Sequence, residues 1–166
     1  QVSFDEDAVI AWRLIGYENR DVADQDFRDD AVDGGEIGSG HQVTAVYDVV
    51  LRDHLAADQP IATVSVRAKP PGPDRAAQEW DTRFPAGLVR HQWAAASTDL
   101  RAAWTLAQLA EKLRGSPFST ELSWERLLEE ALEVEDQGFP RADEIVDAVR
   151  LAHGLTEGQV RAALAA

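Results

Sequence analysis

Residues 12–47 read WRLIGYENRDVADQDFRDDAVDGGEIGSGHQVTAVY, two strand-like apolar runs around an acidic, glycine-rich middle. The first run, Val9 to Tyr17, is apolar and aromatic enough for a strand. Side chains alternate along a strand, so Ile10, Trp12, Leu14 and Gly16 share one face. Val9, Ala11, Arg13, Ile15 and Tyr17 take the other. Both faces are largely apolar, which predicts a central strand. In the second run, Val43 to Leu51, residues Val43, Ala45, Tyr47 and Val49 alternate with Thr44, Val46, Asp48 and Val50. A short helix fits Val22 to Phe27 between them.

The middle carries Asp21, Asp24, Asp26, Asp29, Asp30, Asp33 and Glu36 against Arg20 and Arg28, a balance of −5 over residues 20–36. Such a segment repels itself unless something neutralises it. A hard divalent cation such as calcium takes clustered carboxylate oxygens, which makes Asp29, Asp30, Asp33 and Glu36 candidate ligands. The spacing does not follow the common calcium loop. A start at Asp29 puts Ala31 third and Gly40 where the bidentate Glu belongs, and a start at Asp24 puts Arg28 fifth. The other reading is a solvated loop shaped by Asp and Gly turn chemistry.

Working outward, Val2 to Phe4 reads as a short strand and Ile61 to Ala68 as a longer one. The run PPGPD at 70–74 is a turn that no strand crosses. Glu79 to Phe84 then closes a hairpin on Ile61 to Lys69. From residue 86 the period changes. Leu100, Ala103, Trp104, Ala107, Ala110 and Leu113 keep the spacing of a buried helical stripe, ended by Gly115 and Pro117. Ser123 reads as an N-cap. Trp124, Leu127, Leu128, Ala131 and Leu132 follow as a second stripe, with Glu125, Glu129 and Glu130 facing water. Ala142, Ile145, Val146, Val149 and Ala152 make a third, stopped by Gly154, and a capping box from Thr156 to Gln159 opens a last short helix. Strands first and helices after predict an α+β fold. A mostly antiparallel sheet or small sandwich covers residues 1–85 and three to four helices cover 86–166, two lobes of one domain.

Composition narrows the function. The 166 residues carry a net charge of −14, which argues against nucleic acid and against an anionic membrane surface. The chain has no cysteine, which excludes disulfides, thiolate zinc sites and thiol catalysis. It has no methionine and starts at Gln1 in strand-like sequence, as expected of an excised piece of a longer protein. No signal peptide or transmembrane run occurs in these residues.

Catalytic constellations are weak. His41, His54, His91 and His153 form no helical metal pair, and no Gly-x-Ser-x-Gly elbow is present. Ser39 lies near His41, but a nucleophile also needs an oxyanion donor and an oriented base, and no motif here supplies them. The glycines at 34–40 lack a following lysine and sit among acids that repel phosphate. A hydrolase would have to draw its carboxylates from the loop at 29–36. Of the tryptophans, Trp104 and Trp124 lie on apolar stripes and read as core, while Trp80 and Trp93 are open to an interaction role.

Residues 14–20, LIGYENR, followed by ADQDF, RDD, DGGEIGSGH and VTAVYDV, resemble the C-terminal domain of bacterial von Willebrand factor A proteins of the YfbK type. Arg28 stands where that family has Asn, and Gly34 where it has Ala. Residues 98–116, TDLRAAWTLAQLAEKLRGS, are similar to its alanine-rich helix, so the resemblance covers nearly the whole chain. The family domain has no known activity. The resemblance implies a non-enzymatic accessory domain, without cofactor or catalytic residues, that follows a von Willebrand A domain of the same polypeptide and binds protein partners or scaffolds that domain; a calcium-stabilised adhesion module is the alternative should the acidic loop hold the ion. It also implies an extracytoplasmic, cell-envelope location with a lipoprotein-like anchor in the preceding part. The Asp-x-Ser-x-Ser metal run of the von Willebrand A domain is absent from residues 1–166, so that site is expected upstream. On this reading Arg13, Tyr17 and Asn19 have structural roles. With the loop from Asp29 to Glu36 they hold the strand–loop–strand unit together.

Overall fold

The computed structural model describes residues 1–16, 23–29, 32, 35, 37–70, 72 and 75–164. The fold is α+β, with antiparallel sheets in the N-terminal half and three helices in the C-terminal half. The chain divides into two compact units, Gln1–His91 and Gln92–Ala166.

In the first unit, β1 (Val2–Phe4), β4 (Pro60–Ala68) and β5 (Gln78–Pro85) form an antiparallel sheet in the order β1-β4-β5. The hairpin of β4 and β5 lies where the proline-rich turn predicts it, with Ala68 opposite Gln78 and Val64 opposite Thr82. Strands β2 (Val9–Ile15) and β3 (Val46–Leu51) make a second, two-stranded sheet. Strand β2 is therefore not central, as its apolar faces had suggested. Among the described residues it pairs with β3 alone, and Ile10 and Trp12 on it are exposed.

The register also corrects the predicted faces of β2. A bulge between Val9 and Ala11 puts two residues of β2 against one of β3, so Val9 opposes Leu51 and Ala11 opposes Val50. One extra residue inverts the alternation beyond it. Val9 thereby joins the side of Trp12 and is buried with Ala8 and Ile61, and Phe4, Val49, Leu51, Leu55, Ala86 and Val89 pack around them. The predicted helix at 22–27 is a single 3₁₀ turn over Asp24–Asp26.

The second unit packs α1 (Thr98–Leu113), α2 (Trp124–Asp136) and α3 (Ala142–Leu164) around one apolar core. Ser97 and Ser123 cap α1 and α2 by accepting the backbone N–H three residues on, at 3.2 and 3.1 Å. Gly115, at φ +67°, lies in the left-handed region just beyond α1. The α3 stripe of Ala142, Ile145, Val146, Val149 and Ala152 is buried as predicted. The helix does not stop at Gly154 but runs unbroken to Leu164, absorbing the predicted fourth helix. Each glycine costs a helix only about 1 kcal/mol against alanine, so Gly154 and Gly158 together do not end it, and no proline follows.

On α1 the predicted stripe is rotated. The buried residues are Arg101, Ala102, Thr105, Gln108, Leu109 and Glu111, while Leu100 and Leu113 are exposed. The small side chains of Ala102, Ala103, Ala107 and Ala110 mark no sharp edge to the apolar stripe of α1, and the choice of face falls to two charged residues that find partners inside the unit. Glu111 accepts from Ser116 Oγ at 2.7 Å and pairs with Arg114 at 2.6 Å. Arg101 pairs with acids of α2. For the same reason Glu130, predicted to face water, is only 2% exposed, while Leu132 lies toward solvent and Val134 is buried.

Candidate functional site

The first unit presents an aromatic cluster. Phe4 of β1 stacks on Trp12 of β2 with ring centroids 5.1 Å apart and meets Tyr47 of β3 edge-on at 5.5 Å. Trp12 and Tyr47 meet at 6.2 Å. The three rings tie the two sheets together, yet Trp12 remains 56% exposed. Beside it opens a cleft of about 550 Å³ lined by Phe4, Asp5, Glu6, Ile10, Trp12 and Arg52, among others. Its wall is shaped by the tight turn at 5–8. The Asp5 carbonyl accepts from Ala8 and Val9, the Asp5 carboxylate accepts from Asp7 N at 2.9 Å, and Arg52 Nε donates to the Glu6 carbonyl at 3.3 Å. The cleft offers aromatic faces, one guanidinium and two carboxylates, a set suited to holding an amphipathic segment by stacking and polar contacts.

Arg13 sits directly opposite Asp48 across β2 and β3, and the two side chains form an ion pair. Arg28 forks onto Glu79 of β5, with Nε and Nη2 donating to its two carboxylate oxygens at 3.2 and 2.6 Å. The hydrogen bond and charge from Arg28 hold the Glu79 carboxyl below its ordinary range. The segment at 23–29 is thus fastened to the sheet through one arginine.

Of the candidate metal ligands, Asp29 lies exposed after the 3₁₀ turn, its N–H donating to the Asp26 carbonyl at 3.0 Å. Asp30, Asp33 and Glu36 lie outside the described residues, as do Tyr17 and Asn19. Among the described residues no group of three or more His, Cys, Asp or Glu side chains is arranged to hold a metal ion. His41, His54 and His91 are exposed, and His153 of α3 stacks on Trp124 of α2 at 5.8 Å.

The second unit holds a charged network that the sequence pattern does not reveal. Arg101 of α1 donates to Glu130 of α2 at 2.9 Å and also pairs with Glu133. Arg126 pairs with Glu130 one turn away. The indole of Trp93 donates to Glu130 at 2.7 Å, crosses Trp104 edge-on at 5.0 Å and lies 5.9 Å from the Arg101 guanidinium. Burial pushes the Glu130 carboxyl up, but hydrogen bonds from Trp93 and Arg101 and the charge of Arg126 outweigh it, so its pKa lies below the usual range. The signal that could have found Glu130 is its place one residue before Ala131 and three after Leu127, on the edge of the α2 stripe.

An acidic α+β chain with a small aromatic-walled β unit and a three-helix unit is the class these features define. The family model described as the C-terminal region of uncharacterized protein YfbK matches residues 1–155, and the chain belongs to that family. It is 29% identical over 177 residues to the uncharacterized protein YfbK of Escherichia coli (strain K12), an alignment that covers 95% of this chain. The chain spans 29% of the length of that curated relative. No solved structure matches the chain.

Proposed function

We propose that this chain is a non-enzymatic accessory domain, C-terminal to a von Willebrand A domain, that makes protein–protein contacts at the cell envelope. The observation that carries the reading is the exposed face of Trp12, held rigid by Phe4 and Tyr47 at the lip of a cleft. Tryptophan is one of the side chains enriched among the few that dominate protein interfaces. The family relationship and the span of 29% of the YfbK relative support a role alongside other parts of a longer polypeptide. On this reading any anchor belongs to that remainder; no helix among the described residues is long and apolar enough to cross a membrane.

The experiment is calorimetric titration of the 166-residue chain with the separately produced von Willebrand A portion of the same protein. Binding that weakens about tenfold or more in Trp12→Ala is expected, in line with a hot-spot tryptophan. Absence of binding, or equal binding by the variant, would overturn the reading.

A further inference from the structure

The longest edge strand of the two sheets is β5, eight residues from Gln78 to Pro85. Its inner edge pairs regularly with β4 from Gln78 to Phe84, and among the described residues no strand covers its outer edge. Arg28 forks onto Glu79 near the start of the strand, and its charge also acts on Asp81. Edge strands are ordinarily kept short, bulged or charged to prevent pairing with another chain. β1 has three residues and β2 is bulged, whereas β5 is long and unbulged, and its charges are of both signs, Glu79 and Asp81 against Arg83. β5 is exposed from Gln78 to Phe84 and places Trp80 and Phe84 on one face, with Asp81 and Arg83 on the other.

We propose that the outer edge of β5 pairs antiparallel with the same edge of a second copy, with the two-fold axis at Thr82. The self-complementarity of the strand selects this partner and this register. A two-fold centred on Asp81 would set Asp81 against Asp81, and one centred on Arg83 would set arginine against arginine. Centred on Thr82, threonine faces threonine, and each Asp81 faces the Arg83 of the other copy. On the opposite side, each Trp80 faces the other copy's Phe84. Thr–Thr, opposite-charge and aromatic pairs are all favourable directly across antiparallel strands, and like charges there are not. The contact is isologous, so it closes as a dimer rather than growing into a filament. It is independent of the cleft beside Trp12.

Sedimentation velocity of the 166-residue chain over a concentration series tests the idea. Self-association is expected in the wild type. It should weaken about tenfold or more in Arg83→Asp and in Asp81→Arg, each of which creates two like-charge pairs across the two-fold. An equimolar mixture of the two variants should restore association, because every acid then faces a base. Circular dichroism melting checks that each variant is folded, since Asp81 also accepts from Ser65 Oγ at 2.6 Å.

An arm that leaves the charges alone uses the absence of cysteine. In Thr82→Cys the two thiols lie on the axis, with Cα atoms about 5 Å apart and within reach of a disulfide. In Glu79→Cys they lie about 20 Å apart. Under mild oxidation only Thr82→Cys should form a crosslinked dimer quickly. A chain that stays monomeric, association indifferent to Arg83→Asp, or equal crosslinking by the two cysteine variants would each overturn the proposal.

Discussion

Arg101 and Glu130 meet at 2.9 Å with both side chains 2% exposed, so α1 and α2 are joined through a charge pair inside the helical unit. Removing one member of a buried pair leaves the other uncompensated. Glu130→Gln keeps an acceptor for Trp93 but removes the charge. It is expected to destabilise the chain by about 3 kcal/mol, the low end for a broken buried pair because Glu133 remains on Arg101. Glu133 is itself 53% exposed, and Glu133→Gln should cost less than about 1 kcal/mol. Urea unfolding of the two variants measures the contrast, and equal losses would contradict it.

Acid should act through the same carboxylate. The folded pKa of Glu130 lies below its unfolded value, so the folded state resists protonation. Its contribution is complete above the ordinary glutamate value of about 4.3 and is lost as pH falls from there through the depressed folded value. The stability gap between wild type and Glu130→Gln, read from urea midpoints, should be full near pH 6 and narrower near pH 3, at about those settings.

Gly154 lies inside α3, and a Cβ built on it meets nothing within 4 Å. Gly154→Ala should therefore stabilise the chain by about 0.5–1 kcal/mol, through helix propensity and the smaller entropy of the unfolded chain. A rise in melting temperature is the expected readout. A fall would mean that α3 is not continuous there.

The acidic stretch at 20–36 gives a test by linkage. Melting in EDTA and in millimolar calcium is expected to coincide, as for a solvated loop. A rise of several degrees in calcium would mean that the folded chain binds the ion, and Asp29, Asp30, Asp33 and Glu36 would be the first carboxylates to replace.

The sequence was most legible where a local rule had no competitor. The proline-rich run at 70–74 forced the β4–β5 hairpin, and on α3 the regular spacing of Ala142, Ile145, Val146, Val149 and Ala152 marked the buried face even though Leu151 and Leu155 lie exposed. Ser123 had no competing role and caps α2 as its type predicts. Legibility failed where long-range partners decide. The bulge at Val9–Ala11 depends on how β3 lies alongside, and periodicity cannot register one extra residue. The face of α1 was hidden because its alanines suit any side, and the decision fell to Arg101, whose partners Glu130 and Glu133 are about thirty positions away. Burial rules place glutamate in water, and only the coincidence of Trp93, Arg101 and Arg126 around one carboxylate overrides that.

Trp93 precedes α1, yet its ring fills space between Trp104 and the carboxylate of α2. The natural cutting point for isolating the helical unit therefore lies at Gln92 and not at the first residue of α1. A fragment begun at Thr98 would contain all three helices and still lack a wall. Glu130 would be left with two arginines and no indole, and water would enter beside Arg101. Excision for crystallisation or for transplantation onto another protein should carry the residues from 92 onward as part of the bundle.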